Sequence, residues 1–140
     1  MTNVGNYNPS DVIVRIGTRV IKGFADGTFV EVARNNPAEL TPVPGAKGEY
    51  TFVENNDKTG TVTITLQADA ESNIYMNSLS GSKAIVPIFI SRKGKNVQEL
   101  VTATEAVVQE KPQKSYDAEN PARAWVIGAG NLIQSDTGVL

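Results

Sequence analysis

Side chains able to do acid–base or nucleophilic chemistry are few in this sequence, and their spacing assembles no catalytic set. The 140 residues include no histidine and no cysteine. That removes the commonest general base, the thiolate nucleophile and the usual zinc ligands. The 15 acidic side chains form no recognisable pair for general acid–base work. Serine and threonine are plentiful, but an activated hydroxyl needs a base, and neither histidine nor a Ser-x-x-Lys motif supplies one. Asn55, Asp57 and Thr59 place oxygens at alternate positions, as a calcium loop does. Such a loop closes on a bidentate acid, and the closing position here is Leu66. Gly128-x-Gly130 is shorter than a dinucleotide fingerprint and has no helix after it. Arg92, Lys93 and Lys95 cluster around Gly94, a pattern that fits a solvated hairpin tip. The expectation is a protein with no enzymatic activity, no cofactor and no metal.

Charge and hydropathy narrow the classes further. The chain carries 13 basic and 15 acidic side chains, a net charge of −2, with no basic tail. Sequestering nucleic acid by charge needs a basic footprint that releases counterions from phosphates, and none is present. The longest apolar run, residues 84–90, contains Pro87 and is far short of the roughly 20 residues that span a bilayer. The first nine residues lack the basic start and apolar run of a signal peptide. The length predicts one domain, residues 1–140, made in the cytoplasm.

The elements that would position any site are mostly strands. Residues 61–66 alternate strictly, with Thr61, Thr63 and Thr65 on one side and Val62, Ile64 and Leu66 on the other. A period of two is the signature of a half-buried strand. Residues 49–54 precede it, and Asn55–Gly60 is rich in turn formers, with Gly60 suited to a positive φ. The two runs predict one antiparallel hairpin. Upstream, residues 1–10 predict a flexible arm. Residues 11–16, 19–22 and 28–34 predict a three-stranded meander, with Gly17-Thr18 as its first tight turn. Pro37, Pro42, Pro44 and Gly45 predict a long irregular loop over residues 35–48. Residues 69–80 predict the one helix, capped by Asp69, ended by Gly81, with Ala70, Ile74, Leu79 and Tyr75 or Met76 as its apolar stripe. Residues 84–91, with Pro87 at an edge or bulge, 97–110 and 122–134 predict further strands. In the last, Gly128 and Gly130 mark a bend or close approach, and Ile133 shares the face of Trp125 and Ile127. The fold class is mainly β with one helix (α+β). Open strand edges in such a chain favour joining to other copies through main-chain hydrogen bonds, and predict a self-assembling structural subunit. A monomeric β binding module is the competing reading.

Several stretches in this order resemble a family. Asp11-Val-Ile-Val-Arg-Ile-Gly17, the Gly23-Phe-Ala-Asp-Gly-Thr28 turn with its flanks, Glu54 to Leu66, Ser72-Asn-Ile-Tyr75 through Leu79, and the closing Arg123-Ala-Trp125 are similar to tail tube subunits of contractile-tailed bacteriophages. Tube subunits of bacteriocins and type VI secretion systems share that architecture and are the alternative. The resemblance implies an antiparallel β-sandwich or barrel flanked by a single α-helix. It implies hexameric rings stacked into a tube inside a contractile sheath, made in the host cytoplasm and resident in the virion tail. The implied partners are copies of itself, sheath proteins, a baseplate initiator, and DNA in transit without specific binding. On that footing Thr61, Thr63 and Thr65, with Glu49 and Glu54 on the partner strand, are candidates for the lumen face. Asn3, Tyr7, Pro37, Leu40, Pro42 and Pro44 are candidates for contacts between subunits or rings.

Overall fold

In the computed structural model, which describes residues 7–138, alternation along one strand decides what is inside. Strand β6 (Gly60–Gln67) buries Val62, Ile64 and Leu66 completely, while the threonines between them are half-buried on the other side. It pairs antiparallel with β3 (Val30–Arg34) on one side and β9 (Ala122–Gly138) on the other. The remaining members of this sheet are β1 (Val12–Ile16), β2 (Arg19–Val20), β7 (Val86–Lys93) and β8 (Val97–Glu110). Their order is β2-β1-β7-β8-β9-β6-β3. Val14 and Ile16 of β1 share a core with β6, although three strands separate them in the order. The sheet is therefore curled on itself into an incompletely closed barrel.

One helix, α1 (Ser72–Ser82), is present among the described residues and closes one end of the curl. Met76 and Leu79 enter the core, and the Tyr75 hydroxyl donates to the Ile16 carbonyl at 2.9 Å. Ile74, expected in the apolar stripe, is 74% exposed. The helix also starts later than its capping signal implied. Glu71 is the N-cap and Asp69 lies in the preceding turn, where amides of residues 70, 73 and 74 already find carbonyls. Gly81 sits inside the helix, which instead ends on Lys83 in the left-handed conformation at φ 56°. Buried Ser72 in the first turn ties the helix to the sheet instead, its hydroxyl accepting from the Lys22 amide at 3.0 Å.

Long-range pairing overrules three local expectations. Residues 28–34 do not continue a meander, because β3 lies at the opposite edge of the sheet from β2 and pairs with β6. Residues 49–54 and 61–66 are not a hairpin. β5 (Tyr50–Glu54) pairs instead with β4 (Leu40–Pro44), a strand inside the segment expected to be an irregular loop. Proline fits there for a geometric reason. The Asn55 amide bonds to Glu39 and the Gly45 amide to Glu49, which fixes alternate residues as hydrogen-bonded pairs. Pro42 and Pro44 fall on the positions between, where the backbone nitrogen points away from the partner strand and no donor is needed. Gly60 likewise has no positive φ. Its missing side chain leaves room for the Ala33 carbonyl, which would lie 2.7 Å from a Cβ, and for Leu132.

Two irregularities set which faces meet. Pro87 sits at a bulge between Val86 and Ile88 in an interior strand, with its carbonyl accepting from Gly17 at 2.8 Å. In β9, Asn131 has φ 45°, and the faces exchange there. Arg123, Trp125, Ile127 and Ala129 are buried before it and Leu132 after it, so Ile133 is 52% exposed rather than sharing the face of Trp125. A left-handed residue of L configuration costs about 1–2 kcal/mol, least for asparagine and glycine. Asn131→Val is expected to lower unfolding stability in urea by about that amount, while Asn131→Gly changes it by only a few tenths of a kcal/mol.

Candidate assembly surfaces

Local chemistry holds the β4–β5 ribbon at a fixed root. Arg34, at the end of β3, forms an ion pair with Glu39 and donates to the Asp57 carbonyl at 3.1 Å. Lys58 lies 4.0 Å from the same Glu39 carboxylate. The Asn55 side chain donates to the carbonyls of Asn36 and Ala38 at 2.9 and 2.7 Å, and its oxygen accepts from the Asp57 amide. The Asp57 carboxylate accepts from the Thr59 hydroxyl and amide at 2.6 and 3.0 Å. Those two bonds, the hydroxyl first, hold its carboxyl below the usual aspartate range. The alternate oxygens of Asn55, Asp57 and Thr59 thus close successive side-chain turns, and the calcium-loop pattern serves as a staple.

Beyond this root every residue of the ribbon is exposed. Register places Leu40, Pro42 and Pro44 beside Glu54, Phe52 and Tyr50 on one face. Tyr50 and Phe52 pack edge to face with ring centroids 5.4 Å apart. They are 66% and 57% exposed, and Leu40 is 52% exposed. The apolar face was missed in the sequence because Tyr50 and Phe52 were assigned to the hairpin with residues 61–66. Their alternation with Thr51 and Val53 was the available signal. Pro37 lies in the root, before β4.

The expected lumen set divides. Thr61, Thr63 and Thr65 share one face of β6, but Glu54 lies on β5 and Glu49 just before it, in the separate ribbon. The strands that flank the threonines are β3 and β9. Thr63 stands opposite Glu31 and Val126, Thr61 opposite Ala33 and Gly128, and Thr65 opposite Ala124. The same face continues onto β8, where Val107 and Glu105 oppose Gly128 and Gly130. The residues named on it are small, neutral or acidic, and none is basic.

At the N-terminal side, Asn3 lies outside the described residues. Residues 7–10, expected in a flexible arm, instead lead into a turn of 3-10 helix over Pro9–Asp11, with Asn8 accepting from the Ser10 amide. The Tyr7 ring sits 5.3 Å from the Arg92 guanidinium, which is paired with Glu99 at 3.0 Å. That bond raises the Arg92 pKa above its ordinary value.

No family model matches the sequence, and no curated protein matches it. Solved structures do share the fold. The tube-terminating cap of the anti-feeding prophage is 11% identical with a TM-score of 0.69, over 98% of this chain and 95% of that one. The sheath/tube terminator of the extracellular contractile injection system PVC, in its extended state, is 14% identical with a TM-score of 0.63, over 93% and 96%. A chain of the PVC sheath–tube complex, also extended, is 15% identical with a TM-score of 0.61, over 90% and 88%. The chain is thus similar in fold to components of contractile injection systems, the class the sequence resemblance gave as the alternative to a phage tail.

Because Tyr50 and Phe52 touch little of their own chain, replacing both with serine is expected to change monomer stability by no more than about 0.5 kcal/mol each. Urea unfolding below the concentration of self-association measures this. A loss above about 2 kcal/mol would show that the ribbon face packs on its own domain.

Proposed function

We propose that this protein is a structural, non-enzymatic subunit of the tube of a contractile particle, a phage tail or a related injection system. Copies would form hexameric rings within a sheath, on a tube started by a baseplate protein. The observation that carries the reading is the β4–β5 ribbon. A two-stranded ribbon is marginal alone in water, and this one holds an apolar face outward at a braced root. Burying each large side chain of that face would contribute roughly 1.5–3 kcal/mol before ordering costs. The shared fold of sheath–tube components supports the same reading.

Rings also need lateral joints. β3 has one partner strand, β6, and its Val30, Val32 and Arg34 stand at the positions whose amides and carbonyls point to the free edge. That edge can take a strand from a second copy. In this arrangement the face of Thr61, Thr63 and Thr65, with Glu31 and Glu105, lines the conduit. A neutral to acidic wall lets DNA pass, because it offers no cations to exchange for the counterions of phosphate.

Likeness to two terminating proteins favours a second reading, a ring that ends the tube. Negative-stain electron microscopy with light scattering on the full chain separates the two. Stacked tubes support the repeating subunit, single rings support the terminator, and monomers at high concentration, even with a baseplate initiator present, overturn both. Tyr50→Ser with Phe52→Ser is expected to abolish assembly in either case.

The lumen assignment has its own test. Tubes of Thr63→Lys are expected to assemble with unchanged diameter and to retain DNA at low salt, releasing it as salt rises. Failure of this variant to form rings would instead make the threonine face a joint between subunits.

A further inference from the structure

A cavity of about 380 Å³ lies away from the ribbon and the threonine face, between the start of β9, the first turns of α1 and the connection 111–121. Its floor holds Arg123, which is 5% exposed. One terminal nitrogen of the guanidinium donates to the Ala122 carbonyl at 3.1 Å and the other to the Ser115 carbonyl at 3.0 Å. The Tyr116 ring covers it, with the guanidinium carbon 5.2 Å from the centroid. No carboxylate pairs with Arg123 among the described residues. A guanidinium has five donors, and burying its charge without an acid is costly.

The surroundings raise that cost. Lys111 and Lys114 line the same cavity, against a single acid, Asp117, whose carboxylate already accepts from the Glu119 amide at 3.0 Å. Three cations converge where one would be unfavourable. The walls are preformed. Ala68 donates to the Pro121 carbonyl at 3.0 Å and Asn120 to Gln67 at 3.3 Å, tying the connection to the end of β6. Trp125 donates to Asn73 on α1 at 2.9 Å, which fixes the indole as one wall, with Pro112 among the others.

We propose that this cavity binds a carboxylate on an apolar stem, the side chain of a glutamate or aspartate presented by another protein chain. The guanidinium fork matches the flat, singly charged carboxylate. The indole and proline walls accept the methylene stem, which inorganic phosphate lacks. The site rests on Arg123 and its cavity, and stands whether or not the protein builds a tube.

Trp125 is the chain's one tryptophan, so its fluorescence reports occupancy directly. The full chain is titrated with N-acetylglutamate amide, its glutamine counterpart, glutarate and inorganic phosphate. The glutamate compound is expected to saturate with a Kd of about 1–10 mM, and the glutamine compound to leave emission unchanged. Lys111→Gln with Lys114→Gln, both exposed positions, is expected to weaken binding about tenfold while leaving the fold intact. Arg123→Lys, checked for folding by its thermal melt, is expected to lose binding because it keeps the charge and loses the fork. Equal binding of the glutamine compound, or saturation by none of the four, would overturn the site. Saturation by phosphate alone would reassign it to a phosphate. Tighter binding of glutarate than of the blocked glutamate would overturn the protein-borne source in favour of a free organic acid.

Discussion

The alternation along Gly60–Gln67 is the constraint on which the rest of the structure depends. Successive side chains of a strand face opposite ways, so a slip of one residue would turn every apolar group of β6 outward. Val62, Ile64 and Leu66 are all at 0% exposure, and this strand is hydrogen-bonded on both sides. Its register therefore dictates that of β9, which brings Ile127 beside Val62 and Trp125 beside Ile64. It also dictates that of β3, which sets Val30 and Val32 against the same core. The threonines go to the opposite face because the core leaves them nowhere else to go.

Features legible in the sequence are those decided within a few residues. Strand existence followed from period-two runs, and the long β8 from its β-branched content. The bulge at Pro87 followed from a missing donor. What stayed hidden was partnership. Asn55 to Thr59 reads locally as a hairpin connection, and its side chains do close turns. Those turns redirect the chain from the ribbon back into the sheet rather than folding β5 onto β6. The destination of β3 is equally non-local, since its pairing with β6 lies across an intervening ribbon that carries its own hydrogen bonds.

The candidate site shows the same division. The threonine face was legible because it is the complement of a core. The acids that accompany it were misassigned, because Glu49 and Glu54 followed β5 into the ribbon while Glu31 arrived from β3. Asn131 is a sharper case. One left-handed residue exchanges the faces of β9, and alternation carried through it predicts the wrong side for both Leu132 and Ile133. Alternation puts Arg123 on the face of Trp125 and Ile127, but its residue type argued the other way. An arginine in a strand is ordinarily exposed, and only the fold reveals that the connection before β9 covers it.

The prolines of β4 decide how such a ribbon can associate. Pro42 and Pro44 stand where the backbone nitrogens face the free edge, because the positions between them bond to β5. The edge therefore lacks two of the donors that an added strand would need. Strand addition is hindered at that edge, whereas the β5 edge, where Tyr50, Phe52 and Glu54 keep amides that point away from β4, carries no proline. The apolar face of Leu40, Tyr50 and Phe52 is untouched by that hindrance. A partner on that face meets the ribbon through side chains, whose shapes select it. The free edge of β3 has no such obstruction, since Val30, Val32 and Arg34 all retain their amides. The protein thus separates two kinds of joint by chemistry. Main-chain pairing is permitted at the β3 edge, where register is set by a buried core, and is hindered along the β4 edge by its two prolines.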